Sequence, residues 1–289
     1  MGIERVRDFY VLTKPGIIQG NSLALLAGYL LAASLYGFDA WLMLAVFMGT
    51  SLVIGSACVF NNILDRAMDQ RMQRTQDRAL VRGTISVSAA ALYGAAVGLG
   101  GFTILWWGVN PLVTLLGLIS LVWYVVIYGY AKRTTSWSTL IGSVCGAMPP
   151  VAGYTAVTGS IDLAAVILFA ILTVWQMPHF YALAIRRKDE YAAVNWPVLP
   201  VVRGIADTKR RMIAYMVLFC LTVPWLSIAG YTGMVYLIGS VALAVYWLTV
   251  ALRTYHEPND HKWAGRIFGV SLIVLPLQSA LIAVGHILP

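Results

Sequence analysis

The chain has 289 residues, of which 60% are hydrophobic and only 11% are charged, and its mean hydropathy is +0.77. This balance excludes an ordinary soluble domain and predicts an integral membrane protein. The formal net charge of +8 comes from Lys and Arg in polar connections, so it indicates membrane topology and contact with anionic lipid rather than nucleic acid.

About nine apolar stretches are long enough to cross a lipid bilayer as α-helices, since a crossing takes about 20 residues. None of them contains Asp, Glu, Lys or Arg. The predicted fold class is therefore all-α, a polytopic membrane protein with one intramembrane domain over residues 1–289. The predicted spans are 17–36, 40–60, 87–108, 111–130, 138–156, 163–185, 212–230, 234–252 and 267–285.

Every Lys and Arg lies in the N-terminal segment or in alternate connections between these spans, and the intervening connections have none. Because cytoplasmic loops of membrane proteins collect Lys and Arg, this pattern predicts a cytoplasmic N-terminus and a C-terminus outside. All the polar, chemically interesting loops are then expected on the cytoplasmic face.

The first such loop follows the second predicted span, where Asn61, Asp65 and Asp69 are spaced four residues apart. Each step of four residues turns a helix by about 400°, so the three side chains share one face. Hard oxygen ligands suit Mg²⁺, which usually joins one or two carboxylates to a substrate phosphate. The arginines that follow, such as Arg74 and Arg78, are suited to binding the same phosphate. The alternative is a solvated loop with acid–base pairs inside one helix.

A second polar loop follows the span 163–185 and carries Asp189 and Glu190 among basic residues. Both loops come after an inward-running helix, so a closed bundle would bring them together over one cavity. Such a cavity is predicted to bind a diphosphate and its metal ions, because cations stabilise the charge that develops on a leaving phosphate. A solvated loop is again the alternative for these two acids.

The stretch 61–69, Asn-Asn-Ile-Leu-Asp-Arg-Ala-Met-Asp, with the arginines after it, resembles the first aspartate-rich motif of the UbiA superfamily of intramembrane prenyltransferases. Stretches 13–16, 128–133 and 175–180 resemble the branch of that superfamily whose members farnesylate haem. The likeness covers nearly the whole chain. It departs at Glu190, where the family often has Asp, and at Ala79, where many members have Pro. Either Glu190 or Asp189 could therefore be the second metal-facing acid, and the sequence leaves this choice open.

The resemblance implies a prenyltransferase that uses farnesyl diphosphate and haem B as substrates, with Mg²⁺ as cofactor and addition of water to give haem O. It implies a bacterial inner membrane location with the site toward the cytoplasm, and a link to assembly of a terminal haem-copper oxidase. The implied catalytic residues are Asn61, Asp65, Asp69, Glu190 and Asp189, and the implied metal ligands are Asn61, Asp65, Asp69 and Glu190. The implied substrate-binding residues are Arg66, Arg74, Arg78, Tyr128, Lys132, Arg133, His179, Arg187 and Lys14.

Several alternatives stay open at this point. The imidazole of His179, next to Pro178, either ligates haem iron or positions water, or it is a core histidine bonded to a freed backbone carbonyl. The acceptor is either haem or an aromatic or quinone-precursor ring. A transporter is disfavoured because such proteins place ionisable groups within their spans, and a non-catalytic haem-handling protein would have no need of the aspartate motif.

Overall fold

A computed structural model describes residues 2–288, and these contain no β-strand. In that part of the chain, nine helices are long and apolar enough to cross a membrane, which confirms the predicted all-α polytopic fold. The helices are α1 (Gly2–Leu12), α2 (Pro15–Tyr36), α3 (Ala40–Asp69), α4 (Ala79–Arg82), α5 (Val87–Gly108), α6 (Pro111–Thr134), α7 (Ser138–Thr158), α8 (Leu163–Arg186), α9 (Lys188–Ala193), α10 (Leu199–Val202), α11 (Gly204–Ile228), α12 (Met234–Arg253) and α13 (Asp260–Val284). The nine membrane-spanning helices are α2, α3, α5, α6, α7, α8, α11, α12 and α13.

Several spans run further at their polar ends than the apolar stretches predict. Helix α3 continues through Asp69, and α13 begins at Asp260. The apolar pattern stops at the first charged residue, whereas the backbone hydrogen bonds of a helix continue beyond the hydrocarbon layer. The whole aspartate motif is consequently helical, as its four-residue spacing predicts.

Side-chain contacts join the basic connections at one end of the bundle. Lys14 Nζ donates to Asn61 Oδ1 at 3.2 Å, and Arg74 Nε lies 3.4 Å from Glu190 Oε2. The second contact joins residues 116 positions apart in the chain. The two polar loops therefore meet, as predicted.

Helices α2 and α7 pack backbone against backbone. A methyl group added at Gly153 would overlap the carbonyl oxygen of Leu25, and one added at Gly28 would overlap that of Pro150. Small residues permit this close approach of membrane helices. The contact fixes the position of α2, and with it Lys14 directly before the helix, relative to the rest of the bundle.

Two spans contain interruptions, one toward the polar end of α6 and one in the middle of α7. Residues Trp123–Tyr128 of α6 form a π-helical turn, a feature that is frequent at functional sites. Helix α7 is interrupted at Ala147, and Gln176 Nε2 donates to the carbonyl oxygen of Ser143 just before the interruption, at 3.3 Å. Because Gly146 has no side chain, the Gln176 amide can occupy the space in which a Cβ atom would lie.

Candidate active site

A cavity of about 140 Å³ opens at the polar end, between the start of α2, the end of α3, the π-helical turn of α6 and the connection after α8. Pockets that enclose a whole drug-sized ligand measure about 300–1,000 Å³, so this volume suits a small polar head group. The cavity is lined by Lys14, Asn61, Asp65, Asp69, Met72, Arg74, Arg78, Tyr124, Tyr128, Lys132, Tyr191 and Trp196.

Asp65 is the most heavily paired acid of the cavity. It is only 5% exposed, and its two carboxylate oxygens lie 2.5 Å from Lys132 Nζ and 2.8 Å from Arg133 Nη2. Helix α6 supplies both cations from its last turn. A buried carboxylate needs such partners, since an unpaired buried charge is strongly destabilising.

Asp69 lies one helical turn further along the same face of α3. Arg78 Nη1 donates to Asp69 Oδ2 at 2.6 Å and to Asn62 Oδ1 at 3.1 Å. The Asn62 amide nitrogen in turn donates to the carbonyl oxygen of Leu12 at 2.9 Å. Asn62 thus orients Arg78 toward the cavity, a positioning role that sequence reasoning missed.

Lys14 enters the site from a strained backbone. Its φ of 53° and ψ of 66° lie in the left-handed region, which is uncommon for a residue with a Cβ atom. Burial lowers the pKa of the Lys14 ammonium, while nearby Asp65 and Asp69 act in the opposite direction. Strain of this kind concentrates at ligand-binding sites, and here it holds a cation at the start of α2.

The π-helical turn places two tyrosine rings in the cavity wall. Tyr124 and Tyr128 stack with ring centroids 5.5 Å apart, and Gly142 on α7 leaves room for the Tyr128 ring. The Lys132 ammonium lies 5.5 Å from the ring centroids of both Tyr128 and Trp196. These cation–π contacts stabilise the charged ammonium group of Lys132, which pairs with Asp65.

The second polar loop contributes Tyr191 and Trp196, whose rings stack at 5.7 Å. Asn195, directly before the tryptophan, has a φ of 57°, and this left-handed turn brings Trp196 to the cavity. Of the two candidate acids in this loop, Glu190 is half-buried and faces Arg74, whereas Asp189 is exposed.

The cavity combines the cations Lys14, Arg74, Arg78 and Lys132 with spare hydrogen-bond donors. Asn61 Nδ2 and Trp196 Nε1 are buried and have no acceptor in the part of the chain that the structure describes. Buried donors without acceptors are rare in proteins and call for a specific partner. A polyvalent anion with many acceptor oxygens, such as a diphosphate, supplies that partner.

The donor set also fits Mg²⁺, provided that a ligand supplies the remaining oxygens. Over residues 2–288, no three His, Cys, Asp or Glu side chains lie close enough to hold a metal by themselves. Mg²⁺ is usually held by one or two carboxylates together with waters and substrate phosphates. Asp65, Asp69 and the amide oxygen of Asn61 meet that requirement.

The structure brings most of the predicted site residues together. Eight of them line the cavity, and Arg133 and Glu190 contact lining residues. Arg66 and Asp189 are exposed outside the lining, and Arg187 also lies outside it. The lining residues that sequence reasoning missed are Met72, Tyr124, Tyr191 and Trp196. Tyr124 lies one turn before Tyr128, so the helical period was a usable signal for it.

His179 lies on α8, outside the cavity lining. Its ring stacks between Trp175 and Phe268, with centroid distances of 4.7 Å to each. Its Nδ1 lies 2.7 Å from the hydroxyl oxygen of Ser271. These contacts fix the orientation of the imidazole ring, and the partner of Nδ1 is a side-chain hydroxyl rather than a freed backbone carbonyl.

Residues 22–273 match the model of the UbiA prenyltransferase family. The chain belongs to the UbiA prenyltransferase family. The protoheme IX farnesyltransferase of Escherichia coli O1:K1 / APEC is 45% identical over 284 residues, which cover 98% of this chain and 96% of that protein.

Two solved structures are similar in fold to this protein. A structure of digeranylgeranylglyceryl phosphate synthase has a TM-score of 0.80 and 19% identity, covering 98% of this chain and 99% of that chain. A UbiA homolog from Archaeoglobus fulgidus, bound to GPP and Mg²⁺, has a TM-score of 0.66 and 14% identity, covering 95% of this chain and 99% of that chain.

Proposed function

We propose that this protein transfers the farnesyl group of farnesyl diphosphate to the 2-vinyl group of haem B, with addition of water, giving haem O and diphosphate. The main observation in support of farnesyl diphosphate as the donor substrate is the cavity in which two buried aspartates lie among four cations. The assignment of haem B as the acceptor substrate is supported by the 45% identity with the Escherichia coli protoheme IX farnesyltransferase over nearly the whole chain.

In this reaction the bond between farnesyl C1 and the diphosphate oxygen breaks, and its electron pair stays on the diphosphate. The π electrons of the vinyl group form the new carbon–carbon bond to the allylic cation. Water then adds to the cation beside the pyrrole and loses a proton. Lys14, Arg74, Arg78 and Lys132 neutralise the charge that develops on the leaving diphosphate.

The proposed ligands of Mg²⁺ are Asn61, Asp65 and Asp69, with Glu190 from the second loop. Bound Mg²⁺ would supply further positive charge next to the diphosphate oxygens. The Archaeoglobus fulgidus homolog of the same fold, bound to GPP and Mg²⁺, supports the use of Mg²⁺ by this protein.

The direct test incubates the purified protein with haem B, farnesyl diphosphate and Mg²⁺ and measures the mass of the porphyrin product. We expect one farnesyl group and one hydroxyl group to be added to the haem. Parallel incubations contain an aromatic acid or a quinone precursor as acceptor. Prenylation of one of these rings with no change in haem would refute the proposed acceptor and leave the diphosphate site intact.

We further propose that residues 1–289 act as one domain in the bacterial inner membrane, with the site facing the cytoplasm. The one-sided distribution of Lys and Arg supports this orientation. The product would serve assembly of a terminal haem-copper oxidase, since such a haem is made for use by another protein.

The orientation predicts opposite accessibility for two connections. In a variant without the native cysteines, Gln76→Cys should react with a membrane-impermeant maleimide only after the cells are opened. Gly159→Cys, in the connection between α7 and α8, should react in intact cells. Labelling of Gln76→Cys from outside would show that the orientation is inverted.

Substitutions of the two acids in the second loop are expected to have unequal effects on turnover. Glu190→Gln should lower turnover, because Glu190 faces Arg74 across the cavity rim. Asp189→Asn should leave turnover within about twofold of the unsubstituted protein, since exposed charges contribute little. Steady-state rates for both variants, measured side by side, decide which acid belongs to the site. A lower rate for Asp189→Asn than for Glu190→Gln would show that Asp189 is the acid that belongs to the site.

His179 is proposed to lie near the bound porphyrin. If His179 ligates the iron, His179→Ala should shift the visible absorption of bound haem and weaken haem binding, with no change in affinity for farnesyl diphosphate. If it positions the water, the spectrum should stay the same while hydroxylated product decreases. An unchanged spectrum and product would leave the hydrogen bond to Ser271 as its only role.

A further inference from the structure

A second, smaller cavity of about 20 Å³ lies inside the bundle between α2, α7, α8, α11 and α13. Its wall is mainly apolar, and its polar side chains are Trp175, Gln278 and Ser279. Trp175 is 6% exposed and Gln278 is 3% exposed. None of the acids or cations of the diphosphate cavity lines this space.

Trp175 and Gln278 each have one buried polar atom without a partner among the described residues. For Trp175 this atom is the donor Nε1, and for Gln278 it is the acceptor Oε1. An unpaired buried polar group destabilises the folded state, and within a membrane no lipid tail can satisfy it. The two orphaned atoms are complementary, and their residues line the same cavity.

The direction of the Gln278 amide follows from its neighbours. The Tyr236 hydroxyl donates its single hydrogen to the carbonyl oxygen of Val223 at 2.9 Å. It can therefore only accept a hydrogen bond from Gln278, whose Nε2 lies 3.1 Å away. Because the amide nitrogen faces Tyr236, the amide oxygen is the atom left without a partner.

We propose that this cavity binds one water molecule, which accepts a hydrogen bond from Trp175 Nε1 and donates one to Gln278 Oε1. A cavity needs about 10–15 Å³ to hold a water, and buried waters typically make about three hydrogen bonds. The Ser279 hydroxyl offers the third partner. This water joins α8 to α13 and fixes the Trp175 ring, which stacks on His179. The inference is independent of the prenyl-transfer chemistry.

A high-resolution cryo-EM or crystallographic map of the full chain tests the proposal directly. We expect one solvent peak within hydrogen-bond distance of both Trp175 Nε1 and Gln278 Oε1. Xenon-pressurised crystals provide the opposite test, because dry apolar cavities bind xenon. Xenon in the cavity, or no solvent peak in the map, would overturn the proposal.

A double-mutant cycle in thermal unfolding tests whether the two side chains act through a shared partner. Trp175→Phe and Gln278→Met should each lower the midpoint, and the double variant should lie no lower than the less stable single variant. The control pairs Gln278→Met with Trp247→Phe, since Trp247 Nε1 donates directly to the Ile267 carbonyl oxygen at 3.2 Å. The control pair should be additive. Additive effects for Trp175 and Gln278 would contradict a bridging water.

Discussion

Asp65→Asn is expected to lower the rate of farnesyl transfer by about 10²–10³-fold while the protein still folds. The carboxylate acts on charge that appears only as the diphosphate departs, and interactions confined to the transition state govern turnover. Asn retains an acceptor for Lys132 Nζ, which lies 2.5 Å from Asp65 Oδ2. It is therefore a gentler change than Ala, which would leave the buried lysine without any partner. Single-turnover kinetics with saturating farnesyl diphosphate separate this effect from weaker binding.

Asp69→Asn is expected to have the same effect, because Asp69 shares the face of α3 and pairs with Arg78. Asp207→Asn is the matched control: Asp207 also pairs with an arginine, Arg211, at 2.8 Å, but lies outside the cavity lining. Its rate should stay close to that of the unsubstituted protein. Near-normal turnover in both Asp65→Asn and Asp69→Asn would rule out the proposed diphosphate site.

Gly153→Ala is expected to lower the free energy of unfolding by about 1–3 kcal/mol, the usual cost of overpacking a dense interior. The added methyl group would overlap the backbone carbonyl of Leu25. Since a backbone carbonyl cannot rotate away as a side chain can, α2 and α7 must separate. The movement of α2 also displaces Lys14 from Asn61, so turnover should decrease as well. Thermal unfolding of the detergent-solubilised protein measures the first effect.

Gly20→Ala is the control for Gly153→Ala, because Gly20 lies in α2, the helix against which Gly153 of α7 packs. A methyl group at Gly20 meets nothing within 4 Å, and Ala is favoured over Gly in a helix by about 0.5–1 kcal/mol. We therefore expect unchanged or slightly higher stability. Equal destabilisation by the two substitutions would show that the contact between α2 and α7 does not limit stability.

Properties that depend on neighbouring positions were readable from the sequence. The nine spans follow from runs of about 20 apolar residues, and the common face of Asn61, Asp65 and Asp69 follows from the helical period. The presence of acids and arginines in two connections on the same side predicted that these loops share a cavity. The structure confirms that they meet, through Arg74 and Glu190.

Properties that depend on distant positions were decided by the tertiary structure alone. The choice between Asp189 and Glu190 as the acid that faces Arg74 depends on the turn of α9, because the two are adjacent in sequence and both acidic. Trp196 reaches the cavity through the left-handed conformation of Asn195. The backbone contact between α2 and α7, at Gly28 and Gly153, joins residues more than 100 positions apart. Local periodicity specifies which face of a helix a residue occupies, but only the packing of the bundle determines what that face meets.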